Sequence, residues 1–396
     1  MHVDHRKLGR ELDLFDSNPL IGAGLPFWLP AGAAARHAVE SYLHELERRN
    51  GYQHVYSPAL GKRELFEKSG HWRNFAEDMF APMGEEELML RPSQCPHHAL
   101  IYKSRGRSYR DLPLRIAELG PMYRAERSGV LGGLARVRAI QLNDAHIFCA
   151  PEQAADEVAE VLRLMRQVHA ALGIEPSSYQ LSLRGEGKKY GGNEAGWASA
   201  EALLREALQV QNVQFVEARG EAAFYGPKID VQVADSAGRE WTLATIQVDY
   251  HQPEAFDLKY AGSSGEQERP VMIHRSLAGS MERLFAHLIE VHEGAFPLWY
   301  SPVQLAVLPV SEEQGDAANA LVRAAVAAGL RAEARHDGSI GGRIRAAAEQ
   351  KIPYAGIIGR REAPDGLVAL RHRDGRQVPA MPVAAAIRRL SEEARP

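Results

Sequence analysis

Cysteine is nearly absent: Cys95 and Cys149 are the only two among 396 residues. Two thiols cannot build a disulfide framework, which leaves a metal ligand or a buried thiol as the use of each. Long apolar runs are missing too. The opening segment MHVDHRKLGRELDLF has no apolar stretch of the kind a secretory signal needs, and no later stretch is long enough to cross a bilayer. A cytoplasmic protein without a membrane partner is expected. There is no large excess of one charge, since 47 Lys and Arg stand against 51 Asp and Glu for a net charge of −4. That balance argues against nucleic-acid binding over the whole surface and leaves room for a local site. From Ser301 onward 14 basic residues face 11 acidic ones, about +3, against about −7 for the remainder. Neither an internal repeat nor a low-complexity segment is present.

What is there reads as one large domain followed by a smaller one, because 396 residues exceed the size at which a single core usually stops growing. Residues 31–50 carry apolar side chains at helical spacing and stop at Asn50-Gly51, after which QHVYSPAL reads as a strand ending at Pro58. A second long helix is signalled from Pro151 to Leu172. There Val158, Val161, Leu162, Met165, Val168 and Leu172 share one face, and Gly173 follows as a C-cap. Between these helices, LPLRIAELGPMYRAE and RVRAIQLNDAHIFC flank the glycine-containing RSGVLGGLA, the pattern of a long antiparallel hairpin. AAFYGPKIDVQVAD and REWTLATIQVDY suggest another pair, joined through Asp235 to Gly238. At FPLWYSP the rhythm changes to alternating strands and helices, so residues 299–396 are expected to form a small α/β domain on a mixed sheet and 1–298 the larger domain.

Three dispersed segments carry good metal ligands: PSQCPHHALIYK with Cys95, NDAHIFC with His146, and VMIHRSLAGSMERLF with His274. A Cys-His-His set leaves a fourth position open, as in zinc sites that bind a substrate. Spacing alone does not single these out among 16 histidines, and His97 and His98 compete as partners of Cys95. Arg124 and Glu126 end one presumed strand, Arg136 begins the next, and Arg283 lies in a helix after Gly279-Ser280. Guanidinium forks suit phosphate, although surface ion pairs would use the same residues.

Taken as an ordered set, YRAE with its loop and RVRAI resembles motif 2 of the class II aminoacyl-tRNA synthetases, SLAGSMERLF resembles motif 3, and GYQHVYSPAL with Pro58 resembles the dimer-forming motif 1. DHRKLGRELDLF, SGHWRNF, CPHH, DLPLRIAE, NDAHIFC, AFYGPKID and PVMIHRSLAGSMER together are similar to the threonyl-tRNA synthetase family, from about Asp4 to the C-terminus. The resemblance implies an antiparallel class II sheet flanked by helices, followed by an anticodon-binding α/β domain. It implies ATP-dependent activation of threonine and its transfer to tRNA(Thr) by a homodimer. Zinc would be held by Cys95, His146 and His274, with Asp144 and Tyr225 lining the threonine site. Arg124 would lie on the α-phosphate of ATP, Glu126 on the adenine amino group, and Arg136 and Arg283 on the distal phosphates or beside the adenine. Magnesium accompanies the nucleotide. Lys228 would enter the active site, and Glu362 and Arg371 would read anticodon bases.

The sequence departs from the family at several places. Ile140 stands where an aromatic commonly stacks on adenine. Leu142 stands where many members have glutamine, and the neighbouring Gln141 would point to the opposite side of the strand. Ser339 replaces a lysine that some members carry near the anticodon. The resemblance begins where the family's catalytic part begins, so no amino-terminal editing domain is expected. Discrimination against serine would then fall to the pocket and to a trans-editing factor. A paralogue serving a specialised pathway or inhibitor resistance would carry the same motifs, whereas a non-catalytic binding protein would be expected to have lost Arg124, Lys228 and Arg283.

Overall fold

The computed structural model describes residues 3–187, 190–191, 194–235 and 237–396. By packing, the chain divides into two units: Ser17–Pro26 with Leu43–His287, and Val3–Asp16 with Phe27–Tyr42 and Leu288–Pro396. Among the described residues, no helix is long and apolar enough to cross a membrane.

The first unit is built on an eight-stranded sheet. Its strands are β1 (Gln53–His54), β2 (Leu114–Tyr123), β3 (Ala139–Cys149), β4 (Ser178–Leu183), β5 (Val216–Arg219), β6 (Lys228–Ala234), β7 (Glu240–Asp249) and β8 (Val271–Ser276). They lie in the order β1-β2-β3-β8-β7-β6-β4-β5, antiparallel throughout except for the two edge pairs β1/β2 and β4/β5, which are parallel. The expected hairpin is β2 with β3, and the second expected pair is β6 with β7. The connection expected for that pair includes Ser236, which lies outside the described residues. Helix α1 (Ala154–Leu172) lies on the sheet, with all six residues of its expected apolar face buried. Each contributes about 1.5–3 kcal/mol by leaving water. Gly173 ends the helix at φ 70°, the left-handed conformation that a C-cap glycine adopts without strain.

Three local expectations need correction. The strand predicted to reach Pro58 stops at His54, because the Ser57 N–H and hydroxyl turn onto the Glu118 carboxylate instead of a neighbouring strand. Strand β3 begins at Ala139 rather than Arg136; Arg136 makes only an isolated bridge to Gly132. Strand β2 likewise ends at Tyr123, although the Arg124 N–H still donates to Arg138 O. Strand β4, the helix Glu194–Val210 and strand β8 were not read from the sequence.

In the second unit five strands form a mixed sheet: β9 (Leu305–Pro309), β10 (Ala332–Ala334), β11 (Tyr354–Ile358), β12 (Leu367–His372) and β13 (Gln377–Pro382), ordered β10-β9-β11-β12-β13. Strand β9 runs parallel to both neighbours, and the remaining pairs are antiparallel. Leu305, Val307, Leu321, Val368, Leu370 and Leu390 form one core, and Ala306, Leu308 and Ile352 form another. Strand β13 was not anticipated. The final helix runs from Val383 to Glu393.

Candidate active site and metal centre

Directly opposed residues of neighbouring strands lie side by side on one face, and alternate residues of a strand share that face. The registers Glu118↔Asp144, His146↔His274, His274↔Gln247 and Gln247↔Lys228 therefore set a row of polar side chains across five strands. Asp144, His146, His274, Gln247 and Lys228 line a cavity of about 600 Å³, together with Arg124, Glu126, Arg136, Tyr225 and Arg283. Ile140 and Leu142 lie on the same floor. Gln141 falls on the other face by alternation, and its N–H meets the Glu282 carboxylate.

At one end, Cys95, His146 and His274 bring a sulfur and two ring nitrogens within 4.8 Å of one another, all three residues buried. Cys95 opens the helix Cys95–Lys103, whose N-terminus favours a thiolate. Burial pushes the thiol up, against the pull of the Ser93 hydroxyl 2.8 Å away, so a thiolate here needs a nearby cation. His97 turns to Leu60 O and is not a partner of this sulfur.

Proton bookkeeping supplies the fit test. Asp249 Oδ2 lies 2.7 Å from His274 Nε2, and its other oxygen accepts the N–H groups of His251 and Gln252. Nε2 of His274 therefore donates, which leaves Nδ1 with a bare lone pair. Glu118 Oε2 lies 3.0 Å from His98 Nε2, and His98 Nδ1 lies 2.7 Å from His146 Nδ1. Burial pushes Glu118 up, but hydrogen bonds from His98 and Ser57 and the Arg91 charge outweigh it and hold the carboxyl at about 2. Glu118 thus only accepts. With His98 neutral, His146 donates through Nδ1 and its Nε2 is bare as well. These two bare nitrogens, His146 Nε2 and His274 Nδ1, lie 3.0 Å apart. Two lone pairs so close require a cation between or beside them, either a proton or a metal. Burial lowers the pKa of both His98 and His146. Zinc bonded to both nitrogens at 2.0–2.1 Å in tetrahedral geometry would separate them by about 3.3 Å. The donor set fits that metal.

Asp144 and Tyr225 border this position. Asp144 Oδ2 lies 3.9 Å from His146 Nε2, and burial raises its pKa to about 7. The Tyr225 ring stacks on His274 at 4.7 Å. His71, which the sequence reading did not single out, also lines the cavity. Its Nδ1 meets Ser69 Oγ at 2.8 Å, its Nε2 lies 3.7 Å from Cys95 Sγ, and burial lowers it to about 3.

The other end is cationic. Arg124 has a wholly shielded Nε with no hydrogen-bond partner and faces the Phe75 ring at 5.8 Å. Arg283 donates to backbone oxygens, Ala135 O at 3.1 Å and Thr242 O at 3.3 Å, and its guanidinium lies 5.6 Å from the centre of the Trp241 ring. Arg136 pairs with Glu126 at 2.8 Å. Burial lowers Arg124 and Arg283, and mutual repulsion with Arg136 adds to it. Such a cluster binds a polyanion well. Between the ends, Lys228 Nζ pairs with Asp230 at 2.6 Å. Glycines hold the backbone close to these groups: a Cβ on Gly120 would meet the Arg91 guanidinium at 2.5 Å, and Gly279, at φ +69°, approaches Leu243 O.

Glu362 and Arg371 belong to the second unit. Glu362 folds back onto the Gly359 N–H at 2.9 Å, and Arg371, on β12, lines a hollow with Arg345, His372 and Arg373. Ser339 caps the helix Ile340–Glu349 through the Gly342 N–H.

A family model described as the tRNA synthetase class II core domain (G, H, P, S and T) matches residues 79–292, and one described as an anticodon binding domain matches 304–393. The chain is 48% identical over 374 residues to a threonine–tRNA ligase of Oceanobacillus iheyensis, covering 93% of this chain and 58% of that protein. It is 46% identical over 398 residues to one of Anoxybacillus flavithermus, covering 99% and 62%. The chain thus spans about three fifths of the length of these curated relatives. A solved structure described as the RNA binding domain of threonyl-tRNA synthetase from Cryptosporidium parvum superposes with TM-score 0.94 at 35% identity, covering 100% of this chain and 99% of that one.

Proposed function

The chain belongs to the class II aminoacyl-tRNA synthetases, and within them to the threonyl-tRNA synthetase family; from that premise we propose that it is a threonine–tRNA ligase. It would join threonine to the α-phosphate of ATP with release of pyrophosphate, then pass the threonyl group to the 3′ end of tRNA(Thr). The observation that carries the reading is the pair of bare imidazole nitrogens beside Cys95, in one cavity with Arg124 and Arg283.

Cys95, His146 and His274 would hold zinc, which when bound supplies a Lewis-acidic centre for an amine and a β-hydroxyl. Asp144 would accept a hydrogen bond from the β-hydroxyl, and Tyr225 would close the wall beside His274. A site built around that oxygen rejects the nearly isosteric valine far better than an apolar pocket would. Arg124 would bind the α-phosphate and stabilise the charge that grows there as the threonine carboxylate attacks. Glu126 would receive the adenine amino group, with Ile140 offering an aliphatic face in place of an aromatic one. Arg136 and Arg283 would hold the distal phosphates with magnesium, and Lys228 would leave Asp230 to reach the substrates. Alignment of the two reactants accounts for much of the rate.

Residues 1–298 would be the catalytic domain and 299–396 the anticodon-binding domain, with Glu362 and Arg371 reading bases; the matched ranges 79–292 and 304–393 support that division. The protein would act in the cytoplasm as a homodimer through the motif 1 segment, where Tyr56 is 91% exposed. Ser-tRNA(Thr) made in error would be the substrate of a trans-editing factor. Zinc content and threonine-dependent pyrophosphate exchange, followed by charging of tRNA(Thr), test the assignment. One zinc per chain with threonine-dependent exchange is expected, and a metal-replete protein inactive with threonine would overturn it.

A further inference from the structure

We infer that His98 and Glu118 form a positioning relay behind the metal site: Glu118 fixes the proton on His98, His98 fixes the proton on His146, and His146 is thereby held with Nε2 free for the metal. The inference rests on the zinc reading above and adds two residues to it. His274 has a carboxylate, Asp249, directly behind it. His146 has instead a second imidazole, with the carboxylate one step further out.

The geometry leaves this relay one sense. Glu118 Oε1 accepts from the Ser57 N–H at 3.1 Å and from Arg91 at 3.1 Å, while Oε2 accepts the Ser57 hydroxyl at 2.6 Å and faces His98 Nε2 at 3.0 Å. A carboxylate with donors on both oxygens has no proton to offer, so His98 donates through Nε2 and accepts at Nδ1. The Arg91 side chain, fully buried and also bonded to Pro121 O at 2.6 Å, pins the carboxylate from behind. His98 itself lies three residues after Cys95 in the same helix, so the sulfur and the relay imidazole are carried by one rigid element. A merely packed histidine would not need its two nitrogens aligned with a carboxylate at one end and a second imidazole at the other. Outer partners of this kind orient the ligand ring and raise its basicity, and their loss typically weakens metal binding by about 10–100-fold.

Two substitutions separate this role from packing. In His98→Asn the amide oxygen overlays the position of Nδ1 and still accepts from His146, but it leaves a void. In His98→Leu the volume is filled and the acceptor is gone. Zinc affinity, measured on the full-length protein by competition with a chromogenic chelator, is expected to fall by about 10–100-fold in His98→Leu and by less in His98→Asn. Thermal stability without metal is expected to follow the opposite order. If zinc affinity instead tracks packing, with Leu binding as tightly as Asn or tighter, the relay is wrong. A wild-type chain that binds zinc while both variants bind it equally well overturns the relay alone. A wild-type chain that binds no zinc overturns the metal reading and the relay with it.

Discussion

At the Cys95 end of the cavity, the outward nitrogen of each metal-facing imidazole already meets a protein partner, His98 behind His146 and Asp249 behind His274. At the Arg283 end, Arg136 pairs with Glu126, Arg283 donates to backbone oxygens, and the shielded Arg124 Nε has no hydrogen-bond partner among the described residues. In the first region protein groups hold the outward nitrogens, and the inward donors would take a small cation on the proposed reading. The second holds surplus charge whose counter-ion must arrive as a ligand. On the function proposed above, selection of the amino acid would rest on fixed geometry, and capture of the nucleotide on unbalanced electrostatics.

This contrast can be broken most forcefully at the metal. His274→Ala is expected to remove zinc and reduce threonine-dependent pyrophosphate exchange to background; the intact site should prefer threonine to valine by about 10⁴-fold. Equal exchange with both amino acids would show that no group in the pocket reads the hydroxyl. The next largest effect is expected at the cationic end, where Arg124→Met should lower kcat by about 10²–10³-fold. Because that change deletes a shielded charge repelled by its neighbours, the melting temperature should hold or rise. A marked drop in melting temperature would mean that Arg124 supports the fold. Serine sharpens the comparison further: it offers the same amine and hydroxyl and lacks one methyl, so the pocket should disfavour it by only about 10–200-fold in exchange assays. In the second unit the expected effect is smallest. Arg371→Ala should raise KM for tRNA(Thr) by about tenfold, the equivalent of about 1.4 kcal/mol, and an unaltered KM would remove Arg371 from the anticodon site.

Much of the architecture is legible in the sequence wherever a periodic signal is long. The face of Val158 to Leu172 and its Gly173 stop survive intact, and the β2/β3 pairing and the mixed sheet of the C-terminal unit are present, with shorter inner ends on the hairpin and one further strand, β13. Short or interrupted segments are less legible. Beyond His54 the Val55 N–H still donates to Ala117 O, but the Ser57 N–H is captured by a distant carboxylate, Glu118, and nothing local announces that. Among site residues, those named between Cys95 and Arg283 line one cavity or lie beside it, whereas Glu362 and Arg371 belong to the second unit. The supporting partners were missed because cross-strand register brings them into place. Glu118 stands opposite Asp144 although 26 residues separate them along the chain, and Asp249 meets His274 from the neighbouring strand. One clue was available: three-residue spacing puts His98 on the Cys95 side of its helix.

The alternation along β3 has a consequence for how this stretch can diverge. Ile140, Leu142, Asp144 and His146 face the cavity, whereas Asn143, Ala145 and Ile147 turn to the opposite side of the sheet. Inserting or deleting a single residue between Ala139 and His146 would exchange the two sets, taking the imidazole and carboxylate out of the cavity and pulling Asn143 away from the buried Glu47 and Arg275. Lengthening the exposed connection around Ser128 and Gly129 would disturb neither face. Length variation among descendants of this chain should therefore gather in that connection and stay out of the strand it leads into.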